Sequence, residues 1–106
     1  MTDCLLIMTS LPDQDTARSL AHKLLEEKLA ACINVMPPMT SIYQWKGEVC
    51  EDSEYLLLIK TRQACYAQVE TLIRAHHPYQ LPEIIATGIS HGLPDYLGWI
   101  EESTQE

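Results

Sequence analysis

Two adjacent histidines, His76 and His77, open the stretch His76-His77-Pro78-Tyr79-Gln80-Leu81-Pro82-Glu83-Ile84-Ile85. Imidazole binds Cu, Zn and Ni, so metal binding is the chemistry to consider. On a regular helix, neighbouring side chains point about 100° apart and could not share one ion. Here the pair ends a helical pattern, and Pro78 pushes His77 out of the α region. The second ring is thereby freed from helical spacing. Pro82 acts on Leu81 in the same way, so the segment reads as a stiff connector. A plain helix terminus, with imidazoles where the dipole favours positive charge, explains the same residues. Both readings stay open at this point.

Composition narrows the field. The chain has 106 residues, which predicts one domain spanning 1–106 with one core. Its net charge is −8, with only seven Lys and Arg, scattered. Nucleic acid and anionic membranes both demand clustered cations, so neither is expected as a partner. No apolar run approaches the roughly 20 residues of a membrane span. The opening Met1-Thr2-Asp3-Cys4 lacks the basic and apolar regions of a signal peptide. Cys4, Cys32, Cys50 and Cys65 form no C-x-x-C pair and no zinc spacing, and are expected as small buried hydrophobes in a reducing cytosol. No G-x-S-x-G, no phosphate-cradling glycine loop and no nucleophile with a base beside it is present, so an enzyme is not expected.

The elements that must position the connector follow from periodicity. Cys4 to Thr9 is an apolar run suited to a central strand, and Asp13 is placed to cap a helix with acidic Asp15 in its first turn. Ala17, Leu20, Ala21, Leu24 and Leu25 recur at helical spacing, predicting an amphipathic helix to about Leu29. From Ala31 to Trp45 the pattern alternates as in a strand, with Ile33 and Val35 on one face and a bend or edge at Pro37-Pro38. Lys46-Gly47 suits a hairpin turn, and the return strand runs from Glu48 through Tyr55-Leu56-Leu57-Leu58-Ile59. Cys65, Val69, Leu72, Ile73 and His76 form the buried stripe of a second helix, with His77 stepping off it. A last strand is expected over Glu83–Ser90 and a short helix over Pro94–Ile100 presenting Leu97 and Ile100, with residues 103–106 frayed.

That order, strand-helix-strand-strand-helix-strand plus a terminal helix, predicts an α+β, ferredoxin-like βαββαβ antiparallel sheet with a long central hairpin and a C-terminal helix. Two helices cover one sheet face and leave the other needing cover. Fourteen residues per hairpin arm would extend roughly 48 Å at ~3.4 Å per residue, well beyond a domain whose radius of gyration is about 13 Å. An overhanging hairpin carrying Ile42, Tyr43, Trp45 and Val49 calls for another copy of the chain.

Six stretches in this order resemble the CutA divalent-cation-tolerance family: Thr9 with Pro12-Asp13; Glu27-Lys28-Leu29-Ala30-Ala31-Cys32-Ile33-Asn34; Ser41-Ile42-Tyr43-Gln44-Trp45-Lys46-Gly47; Leu58-Ile59-Lys60-Thr61; His76 to Ile84; and Tyr96-Leu97-Gly98-Trp99-Ile100. The resemblance covers nearly the whole chain. It implies a cytosolic homotrimer of ferredoxin-like subunits, similar in architecture to the PII signalling trimers, and a link to tolerance of copper and other divalent metals. It carries a copper site onto His76 and His77. The family's third ligand is a first-strand cysteine, and here that position holds Met8, a soft thioether suited to Cu(I). Cys4 shares its strand face but lies some ~13 Å away at ~3.3 Å per residue.

Beside metal binding, the likeness to PII trimers implies a second function: a sensor taking a small ligand in a cleft between subunits. Lys60, Tyr79, Glu83, Trp45 and Trp99 are its candidate lining. The structural alternative makes Lys60–Glu83 an ion pair and the aromatics interface filling. A trimer that only presents surfaces to other proteins is the third reading. In the metal reading, His77→Ala is expected to be the cleaner test, because His76 sits on the buried stripe.

Overall fold

A computed structural model of the chain describes residues 2–104. The first strand, β1, spans Cys4–Leu11, two residues longer than the apolar run suggested. Asp13 then caps α1 (Gln14–Glu26), its carboxylate accepting the backbone N–H of Thr16 at 2.7 Å and the Thr16 hydroxyl at 2.9 Å. Those bonds, the backbone one first, hold the Asp13 carboxyl below its ordinary range. A depressed carboxylate stabilises the fold above its unfolded pKa, and that support fades as pH falls through the folded value.

Helix α1 ends three residues before the expected Leu29. Lys28 adopts φ 57°, and the N–H of Leu29 returns to the carbonyl of Leu24 at 3.0 Å, satisfying an otherwise orphaned helix-end acceptor. Leu29 still joins the core through this turn, whereas Leu25, expected on the apolar face, is 41% exposed.

The hairpin follows the expected plan. Strand β2 (Cys32–Val35) stops before Pro37-Pro38, and β3 (Met39–Trp45) resumes beyond them. Lys46 and Gly47 both take positive φ, 50° and 83°, as the tight two-residue turn requires. The return strand β4 (Glu48–Arg62) runs unbroken for 15 residues, its outer half opposite β3 and its inner half between β1 and β2. The molecule is accordingly 44 Å long and only 26 and 23 Å across.

A short 3₁₀ turn (Gln63–Cys65) leads into α2 (Tyr66–His76), then come β5 (Ile85–Gly88), shorter than expected, and α3 (Pro94–Ser103). The sheet order is β2-β4-β1-β5, all pairs antiparallel, with β3 extending from β4. This is the ferredoxin-like arrangement.

Directly opposite residues of an antiparallel pair share a face. Ile7, Leu11, Leu57 and Ile59 face α1 and α2, packing with Leu20, Leu24, Val69 and Ile73 in the core. The other face carries Leu6, Met8, Leu56 and Leu58, with Ile85 on β5. Helix α3 covers only one end of it. There the Cys4 thiol lies against the Leu97 carbonyl, and Arg62 donates to the Thr104 hydroxyl and carbonyl, each at 2.9 Å. Thr104, expected to fray, is therefore buried. Gln105 and Glu106 lie outside the described residues. All four cysteines are free thiols, but only Cys4 and Cys65 are buried; Cys32 and Cys50 are half-exposed.

Candidate functional site

The connector after α2 is the part that departs most from expectation. His76 is exposed and His77 is buried, the reverse of the helical assignment. The physical reason is the helix end. From Ile73, both i+3 and i+4 lie over the apolar face, so periodicity cannot choose between them. His77 then leaves the helix with φ −83° and ψ 132°, the extended backbone that Pro78 enforces, and its ring turns inward.

The buried ring is fully committed. Nε2 of His77 stands 2.6 Å from the Ser10 carbonyl, and Nδ1 stands 3.2 Å from the backbone N–H of Tyr79. A carbonyl can only accept and an amide N–H can only donate, so the ring is the neutral Nε2–H tautomer with both nitrogens in use. On His76, Nδ1 lies 3.0 Å from the Leu72 carbonyl, which makes it the donor and leaves Nε2 with an open lone pair. Met8 sits opposite Leu58 and Ile85, on the sheet face away from α1 and α2. Burial pushes the Cys4 thiol up, with the Glu101 carboxylate adding to it, so Cys4 makes a poor thiolate donor. Among the described residues, no three His, Cys, Asp or Glu side chains gather closely enough to hold a metal ion.

The same connector builds one wall of a groove. The Tyr79 ring packs on His77 at 4.9 Å between centroids, and its hydroxyl donates to Glu54 at 2.8 Å. Across the hairpin, the Tyr43 hydroxyl donates to Asp52, its diagonal neighbour on the same face. Between these pairs lies a groove of about 960 Å³, bounded by the hairpin on one side and by Pro78–Leu81 with Glu83 on the other. Ser10 and Pro12 form its end.

Three of the five expected cleft residues, Trp45, Tyr79 and Glu83, line this groove. The other two do not. Lys60 donates to the Tyr96 hydroxyl at 3.4 Å, and Trp99 packs on the Tyr96 ring at 5.4 Å, so both belong to a separate cluster at α3. Lys60 thus meets Tyr96 where an ion pair with Glu83 was weighed. Sequence reasoning missed Ser10, Tyr43, Asp52 and Glu54. The signal was available: Tyr43, Asp52 and Glu54 fall on one face once β3 and β4 are paired through the Lys46-Gly47 turn.

Both phenols hold their protons tightly. Tyr43 is pushed up to about 12, chiefly by its hydrogen bond to Asp52, then by desolvation. Tyr79 is raised further, by burial first and then by its bond to Glu54. A raised folded pKa stabilises the fold fully below the unfolded tyrosine value of about 10. That support is lost as pH climbs through the folded values. In an alkaline titration followed by tyrosinate absorbance, Tyr43→Phe and Tyr79→Phe should therefore each remove absorbance only from the part of the curve above the ordinary tyrosine value of about 10. A loss of absorbance at or below that value would disprove the two hydrogen bonds.

Comparison with known proteins is consistent along the whole chain. Residues 5–103 match the CutA1 family model, described as "CutA1 divalent ion tolerance protein". The divalent-cation tolerance protein CutA of Thermus thermophilus is 45% identical over 92% of this chain and 95% of its own length. The mouse protein CutA is 40% identical over 89% of the chain, which spans only 53% of that relative. Among solved structures, the Thermus thermophilus CutA1 superposes with a TM-score of 0.94 at 43% identity, covering 96% of this chain and 99% of that one. CutA1 from Oryza sativa gives 0.95 at 37% identity, over 99% and 96%. With the fold shared and residues 5–103 matched, the chain belongs to the CutA1 divalent ion tolerance family.

Proposed function

We propose that the chain works as a cytosolic homotrimer in the response to divalent metal ions, as a binding protein without a catalysed reaction. The observation that carries the metal reading is the Nε2 of exposed His76, which makes no hydrogen bond among the described residues and is next in sequence to a second histidine. Copper is the expected ion, since the Irving–Williams order favours Cu(II) at nitrogen donors. His77 can join His76 only by giving up its bond to Ser10 or to Tyr79. Met8, expected as a third ligand, faces away from the helix that carries His76, so the metal reading rests on the histidines. Because His76 is the exposed ring, His76→Ala now replaces His77→Ala as the cleaner test. It should weaken Cu(II) binding by about tenfold, roughly 1.4 kcal/mol, at unchanged melting temperature. Undiminished affinity would sink the metal reading.

The trimer is supported by the half-covered sheet face and by the free outer edges of β3 and β5. Ile42 and Val49 on the hairpin are 65% and 69% exposed, and Ile85 on β5 is 51% exposed. Light scattering coupled to size exclusion should return three times 12.0 kDa. A monomer at micromolar concentration would overturn it. The cytosolic placement rests on the free thiols, and among the described residues no helix is long and apolar enough to cross a membrane. The Archaeoglobus fulgidus relative is described as periplasmic, a statement about that protein.

A second reading is favoured by the groove. Its volume suits a small molecule, and Trp45, Tyr79 and Glu83 converge on it. In a trimer its open side would meet another subunit, making it the ligand cleft of a PII-like sensor. Trp45 fluorescence in a ligand titration is the direct readout.

A further inference from the structure

The groove has a charge character that selects among ligands. Asp52, Glu54 and Glu83 line it, and no Lys, Arg or His does. Glu54 is only 7% exposed, yet among the described residues the Tyr79 hydroxyl is its one hydrogen-bond donor. A carboxylate offers about four acceptor positions, so Glu54 keeps positions open toward the groove it lines. Ser10 is 3% exposed at the groove's end, and its hydroxyl, unlike its carbonyl, makes no hydrogen bond among the described residues. A donor-rich, positively charged group placed there would find open acceptor positions on both.

The walls add a second preference. Tyr43, Trp45 and Tyr79 are aromatic, and aromatic faces attract ammonium groups. The Trp45 ring already has the Lys46 ammonium 5.8 Å from its centroid. The carboxylates, moreover, do not converge as a metal site would need. One compact ion cannot reach separated acids, whereas an extended chain with several charges can.

We propose that this groove binds a linear aliphatic polyamine. One ammonium group takes Glu54 and Ser10, another takes Asp52 or Glu83, and the methylene stem lies along Trp45 and Tyr79. The proposal rests on the groove being a ligand site. The residues named here are all supplied by this chain.

The test uses the intact protein with spermidine as probe, followed by calorimetry and by Trp45 fluorescence. Binding should saturate at one molecule per chain. Glu54→Gln, which keeps the acceptor for Tyr79, and Glu83→Gln, an exposed change that spares the fold, should each weaken it at least tenfold. Glu26→Gln and Glu102→Gln, acids outside the groove, should leave it unchanged. Equal weakening by all four variants, or equal competition by Mg²⁺ at matched ionic strength, would reduce the effect to attraction by a chain of net charge −8 and overturn the proposal. Should spermidine fail while a neutral or anionic small molecule shifts Trp45 fluorescence, the groove remains a ligand site and the polyamine assignment falls. Silence from every class of probe overturns both.

Discussion

Truncation of His77 to alanine should destabilise the fold by about 1–3 kcal/mol, the cost of leaving a buried acceptor without a donor. The acceptor is the Ser10 carbonyl, which takes the His77 Nε2–H at 2.6 Å. The Tyr79 N–H loses its partner in the same change. His77→Asn, whose amide can both donate and accept, should recover part of the loss. Denaturant unfolding with a chelator present reads the effect in the absence of any metal. An unchanged midpoint would mean that the imidazole is not held as described. A loss seen only with metal would make His77 a ligand first and a structural residue second.

Ile59→Ala should cost more, about 2–5 kcal/mol, the range for emptying a fully buried aliphatic site. Ile59 has no exposed surface and lies on β4 between Ile7 of β1 and Ile33 of β2. The informative comparison is Val49→Ser, at the far end of the same strand and 69% exposed within one chain. Such a surface change alone is worth no more than about 0.5 kcal/mol either way. If copies pair through the hairpin, Val49→Ser should instead make unfolding more dependent on protein concentration. Ile59→Ala should lower stability at every concentration. Identical behaviour of the two variants would remove the distinction between a core half and an assembling half of β4.

Much of this was legible in the residues because the relevant signals are local. The Asp13 cap, the break at Pro37-Pro38 and the Lys46-Gly47 turn are set by backbone chemistry within a few positions, and each lies where it was expected. Alternation put Ile33 and Val35 on one face, and both pack against the core. What failed were choices that only a cap or a distant partner makes. His76 and His77 both satisfy the helical stripe, and the extended backbone of His77 decides between them. Glu54 reads as one member of an acidic run until Tyr79, 25 positions away, supplies its donor. Asp52 escaped for the same reason. Both acids sit in a surface-like segment, and only the returning connector turns that segment into a wall.

Strand β4 also sets an order of assembly. Its hairpin with β3 closes through a two-residue turn and can form from local contacts alone. Its pairing with β1 brings Cys4 opposite Arg62, across more than half the chain. Distant contacts close more slowly than near ones, so the hairpin pairing is expected to close before the core pairing does. In that interval the hairpin ribbon's unpaired edge is a template for aggregation. Glu48, Glu51, Asp52 and Glu54 place four carboxylates along that early ribbon. Like charges stacked on neighbouring copies repel, and such residues act as gatekeepers beside unavoidable apolar strands. The acidic arm thus guards the nascent chain against its own kind until the core is ready to hold it.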